Sequence, residues 1–137
     1  MKYLVDANVL SEATRPVPAG PVIDWLRQNE LHLVVTPIVL GEIEYGILAS
    51  PSGRKRTKLQ QWFASGVQRL RIIDLDAGTA NAWASLLARL KAEGQSMPVK
   101  DSLIAASALQ HGLTVVTRNT VDFQHAGVQL FNPFLSK

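Results

Sequence analysis

The side chains able to do chemistry in this sequence are mostly acids, and their positions raise the first question. Asp6 stands where the apolar run Tyr3-Leu4-Val5 stops, in LVDAN. Glu42 and Glu44 lie inside PIVLGEIEYGIL. Asp101 lies in MPVKDSLIAASAL, and Asn119 and Asp122 follow LTVVT in TRNTVDF. Each has a plain structural use when taken singly. Asp6 can cap the helix that follows, and Asn8 can do so equally. Glu42 and Glu44 can both be solvated. Asp101, in the first turn after Pro98, would stabilise the positive end of a helix by about 0.3–1 kcal/mol. Asn119 and Asp122 are ordinary turn or cap residues.

Convergence of these acids changes the chemistry. Two like charges about 4 Å apart repel by roughly 4 kcal/mol at an effective dielectric near 20. A few such pairs exceed the ~5–15 kcal/mol stability of a small domain. Converging carboxylates therefore need bound cations or raised pKa values. The chain has no cysteine, so the ligands would be oxygens and the expected ion hard, Mg²⁺ or Mn²⁺. Such an ion holds a phosphate and lowers the pKa of a water nucleophile.

The elements must bring these residues together. Residues 2–6, 32–35, 70–73, 113–117 and 128–131 read as strands. Helices are expected over 8–13, 21–29, 37–49, 54–67, 77–93 and 98–112. Thr36-Pro37 is a helix-start signal, Asp76 a cap, and Gly94 and Gly112 are stops. Alternation of short β-branched strands with helices predicts a parallel α/β sheet covered on both faces. In such sheets ligands bind beyond the carboxyl ends of the strands. Asp6 and Thr117 both stand at such ends, and neighbouring strands would put them in one crevice.

Bulk properties narrow the field. The 137 residues fit one domain. Apolar residues make up 47% and charged residues 18%, enough to fill a core. No apolar run approaches the ~18 residues of a membrane span, and no signal peptide is expected. The lack of cysteine suits a reducing cytoplasm. Net charge is +3, with Arg54, Lys55, Arg56 and Lys58 clustered. That run reads as a solvated helix start, or as a guide for nucleic acid.

LVDANVLSE, TPIVLGEIEYGI, MPVKDSLIAASAL and LTVVTRNTVDF with GVQLFNPF, in this order, resemble the motifs of the PIN-domain ribonucleases. The likeness is specifically to VapC-type toxins of bacterial type II toxin–antitoxin pairs. The resemblance implies a three-layer α/β sandwich with a five-stranded parallel sheet between helices. It implies hydrolysis of RNA phosphodiesters with Mg²⁺ or Mn²⁺. It also implies a VapB-like antitoxin partner and a homodimer. By motif position Asp6, Glu42 and Asp101 match the three core acids that hold metal, which selects Glu42 over Glu44 by analogy. The fourth position is Asn119, where many relatives carry Asp, or Asp122. Asn8 and Thr117 match supporting polar positions, with Asn8 expected to cap the first helix and leave Asp6 free. Arg118 would steady phosphate charge. Lys100 departs from the small or apolar residue that commonly precedes the third acid, and it is expected at the surface. The apolar faces of helices 37–49 and 54–67 are the expected surfaces for the homodimer and for an antitoxin helix.

Two other readings stand beside this one. An aspartyl-phosphate phosphatase or phosphotransferase also uses an acid at a strand end. It wants a second acid two residues on, where this chain has Asn8, and a late Lys, where it has Arg118. A degenerate PIN domain would bind RNA or a partner without cutting; the intact Asp6, Glu42 and Asp101 argue against it.

Overall fold

The computed structural model describes residues 1–135. Strands β1 (Tyr3–Val5), β2 (Leu33–Val35), β3 (Arg71–Ile72), β4 (Thr114–Val116) and β5 (Leu130–Phe131) form one parallel sheet in the order β3-β2-β1-β4-β5. The inner strands are continuous apolar runs because both faces are covered. Leu4, Val5, Val34, Val35, Val115 and Val116 are all fully buried. β1 is central, with Leu4 opposite Val34 on one side and Val115 on the other. The chain starts there, builds outward to β3, then crosses back to add β4 and β5 on the far side. That reversal opens a crevice at the carboxyl ends of β1 and β4, where Asp6 and Thr117 follow.

Six α-helices flank the sheet: α1 (Ala7–Leu10), α2 (Gly20–Gln28), α3 (Pro37–Ala49), α4 (Arg54–Ser65), α5 (Ala77–Ala92) and α6 (Val99–His111). Thr36 caps α3 by accepting from the Val39 amide, with Pro37 in the first turn. Asp76 and Thr79 form a capping box on α5. Gly112 ends α6 with a positive φ of 66°, which a side chain would oppose.

α6 lies against β4, and its Ala105, Ala106 and Ser107 are all fully buried. It also packs on α5. A Cβ at Gly78 would stand 2.5 Å from Gln110 Nε2 and 3.2 Å from Asp76 Oδ1, so a side chain there would push the Gln110 amide off the α5 cap. Gln110 then accepts from Thr79 Oγ1 at 2.6 Å and donates to Asp76 Oδ1 at 2.8 Å. That amide, with the cap amides, holds the Asp76 carboxyl below its ordinary range. Near the other end of α6, Trp83 Nε1 donates to Ser102 Oγ at 2.9 Å. This fixes the first turn, which carries Asp101.

Several expectations change at the element ends, and β3 and β5 shorten to two residues each. α2 opens at Gly20, with Pro21 second rather than first. The first helix is one turn, continued by a 3₁₀ turn over Ser11–Thr14. α4 stops at Ser65, and Val67–Arg69 form a separate 3₁₀ turn. The basic run is divided too. Arg56 Nη2 donates to the carbonyls of Leu48 (2.5 Å) and Ser50 (2.6 Å), satisfying the end of α3. Arg54, Lys55 and Lys58 remain exposed. Among the described residues, no helix is long and apolar enough to cross a membrane.

Candidate active site

Asp6 is the first residue past β1. Its amide donates to the Val116 carbonyl at 2.9 Å, which fastens it to β4. Its backbone stays extended (ψ 157°), so the side chain swings over the free amides of α1. Oδ1 accepts from the Ala7 amide at 2.8 Å. Oδ2 accepts from Thr117 Oγ1 at 2.7 Å and from Asn8 Nδ2 at 3.3 Å. Asp6 is therefore the cap, and the expectation that Asn8 caps α1 is wrong. The extended residue comes two positions earlier, which puts Asn8 inside the helix. From there Asn8 ties the site together. Its Nδ2 also donates to Thr117 Oγ1, and its Oδ1 accepts from the Arg118 amide at 3.1 Å.

Thr117 is fully buried and serves three partners. Its hydroxyl donates to Asp6 and accepts from Asn8 Nδ2 and the Asn119 amide. Thr117→Val keeps the shape and removes those bonds. The variant should lose about 1–3 kcal/mol, the cost of leaving buried polar groups unpaired. Urea unfolding should show a lower midpoint at unchanged slope, and Thr117→Ser should restore most of the loss. A Val variant as stable as wild type would contradict this role.

Asp101, in the first turn of α6, is half-buried. Its carboxyl is pushed up to about 6, first by loss of solvent, then by the negative charges of Asp6, Asp122 and Glu42; Lys100 pulls the other way. Those causes show that four acids from distant segments share one electrostatic field. Glu42, on α3, is three-quarters buried. Its Oε2 accepts from Lys100 Nζ at 3.3 Å, and its Oε1 is buried without a hydrogen-bond partner. Glu44 is exposed on another side of α3, so the two glutamates have different surroundings.

Asp122 lies exposed in the 3₁₀ turn Thr120–Phe123. Asn119 joins the cluster through its backbone amide. The Arg118 guanidinium lies 4.5 Å over the Phe134 ring, a cation–π contact. Lys100 is mostly exposed, as expected, but its ammonium is paired with Glu42.

The donor chemistry suits a hard divalent cation: an all-oxygen set, one carboxylate oxygen buried and unpartnered, and one acid already resisting ionisation. Among the described residues, no group of three or more His, Cys, Asp or Glu side chains is arranged to hold a metal ion as it stands. The acids are gathered within reach of one another's fields but are not drawn into a closed cage.

Three supporting residues escape the sequence reading. Glu12, in LSEAT, is buried and accepts from the Ala19 amide at 2.8 Å, pinning the loop after α1. Arg89 donates to the carbonyls of His125 and Ala126, holding the segment after Asp122. Trp83 holds the turn beneath Asp101. Their partners are 7 to 37 residues away, and no local pattern announces such contacts.

Comparison with known proteins bears on the fold and the family. The PIN domain family model matches residues 3–128. The chain is 35% identical to the toxin FitB of Neisseria gonorrhoeae over 135 residues, covering 96% of this chain and 97% of that one. It is 31% identical to the VapC ribonuclease Y4jK of Sinorhizobium fredii, covering 96% of each. The crystal structure of FitAcB from Neisseria gonorrhoeae superposes with a TM-score of 0.90 at 33% identity, covering 97% of this chain and 99% of that one.

Proposed function

This chain belongs to the PIN-domain family, and on that footing we propose that it is a ribonuclease dependent on Mg²⁺ or Mn²⁺, the toxin of a type II toxin–antitoxin pair. The observation that carries this reading is the Asp6 carboxylate fixed at the carboxyl edge of the sheet by Ala7, Asn8 and Thr117, together with Glu42, whose Oε1 is buried without a partner; the raised Asp101 carboxyl agrees with it. The names of the relatives, a toxin and a VapC ribonuclease, support the same activity.

Asp6, Glu42 and Asp101 would hold the ion. Asp122 would supply the fourth charge rather than Asn119, since Asp122 acts on the Asp101 carboxyl while Asn119 contributes an amide to Thr117. A bound divalent ion supplies positive charge to the scissile phosphate and acidifies the attacking water. The protein contributes orientation. Ala7, Asn8 and Thr117 lock both Asp6 oxygens, while Trp83 and Ser102 hold the turn that presents Asp101. Arg54, Lys55 and Lys58 would attract the RNA backbone, an effect that weakens as salt rises. Tyr45 and Leu48, exposed on α3, would serve a second copy of the chain or the antitoxin. Acting on cellular RNA, it would work in the cytoplasm.

Expression of the chain alone should arrest growth, and co-expression of the neighbouring antitoxin gene should restore it. Purified protein should cut RNA in Mn²⁺ and stop in EDTA. Cleavage that continues in EDTA would rule out the metal-dependent reading.

A further inference from the structure

Lys100 stands among the acids without a part in the proposed chemistry. It occupies the first turn of α6, where the positive helix end disfavours a cation. Its Nζ lies 3.3 Å from Glu42 Oε2, joining α6 to α3 across 58 residues of sequence. The other ion pairs among the described residues, Arg15–Glu12 and Arg89–Glu93, are local contacts three and four residues apart. The Lys100 side chain is 64% exposed and that of Glu42 25%. The arm thus reaches inward from solvent to a carboxylate whose second oxygen is buried and unpartnered.

We propose that Lys100 is a built-in counter-cation: its ammonium neutralises Glu42 when no divalent ion is bound, and it competes with that ion for Glu42. The inference rests on the metal-dependent reading above and adds a positioning residue that sets the affinity for the ion. A lysine suits the task because its charge is compact and rides on a flexible stem. An exposed pair of this kind is weak and opens readily. It still competes, since an ion that takes both Glu42 oxygens must open the pair, and one that takes Oε1 alone sits beside the ammonium.

Lys100→Met should therefore bind Mn²⁺ about three- to tenfold more tightly: opening the pair accounts for up to about fivefold, and relief of cation–cation repulsion for the rest. Titration calorimetry with Mn²⁺ measures this directly, without RNA or turnover. Lys2→Met is the control for net charge, because Lys2 precedes β1 at the opposite edge of the sheet and is exposed. It should change affinity less than about twofold, since distant surface charges are screened. Lys100→Arg keeps the charge and should stay near wild type. Equal affinity in Lys100→Met and wild type would overturn the proposal and leave the nuclease reading intact, as would weaker binding in Lys100→Met. Failure of wild type to bind Mn²⁺ at all would instead overturn the metal reading beneath it.

Discussion

Asp101→Asn is expected to cut RNA at least 10³-fold more slowly than wild type while remaining folded; that factor corresponds to ~4 kcal/mol of transition-state stabilisation, the scale of a metal-ion contribution. The substitution keeps the side-chain shape and removes the charge on which the three other acids act. Asp6→Asn should lose cleavage to a similar degree, but with a second cost. Donors from Ala7, Asn8 and Thr117 converge on the Asp6 carboxylate, and an amide there presents a donor to donors. Thr117 can turn its hydroxyl to accept; the Asn8 amide, held by Arg118, cannot follow freely. Asp6→Asn should thus be less stable by about 1–2 kcal/mol, whereas Asp101→Asn should not. Single-turnover cleavage and urea unfolding of the two purified variants separate the effects. Activity within tenfold of wild type in Asp101→Asn would defeat the assignment.

The second large effect is on stability without metal. The Asp101 carboxyl titrates near 6 in the folded chain against a reference value of 3.8. Between these values the native state keeps a proton that the unfolded chain has released, so stability falls as pH rises through the window and stays reduced above it. One unit is worth about 1.4 kcal/mol. Asp101 is only half-buried, and solvent screening reduces the whole effect to about 1–2 kcal/mol. Asp101→Asn removes the penalty. In EDTA above pH 6, the variant should therefore melt several degrees higher than wild type, with the gap closing as pH falls toward 3.8. Saturating Mn²⁺ should reverse the order, because an ion that binds only the native state raises its stability by mass action. Parallel pH profiles for the two proteins would show that Asp101 carries no such strain.

The sheet was readable because covered strands leave a plain mark: YLV, LVV and TVV are apolar runs bounded by polar residues. Thr36-Pro37 and Asp76 set helix starts with purely local chemistry, and both act as expected. The capping of α1 was not readable. Asp6 and Asn8 are both good caps, and only the backbone angle at Asp6 decides between them. Glu42 and Glu44 posed a similar choice on a helix that is apolar on most sides, where periodicity has no preferred face to report. Arg56 looked like part of a basic patch because sequence shows its charge and not the carbonyls it reaches. The Lys100–Glu42 pair depends on where α3 and α6 meet, a tertiary fact with no local trace.

The sheet order also has a consequence in time. Asp6 is made well before its partner: the hydroxyl that orients it belongs to Thr117, 111 residues later. At synthesis rates of about 5–20 residues per second, several seconds separate the two. Throughout that interval β1 has no β4 beside it, and Asp6 has neither its backbone anchor on Val116 nor its bond to Thr117. The proposed site is therefore assembled only after β4 and Thr117 are made and paired with β1.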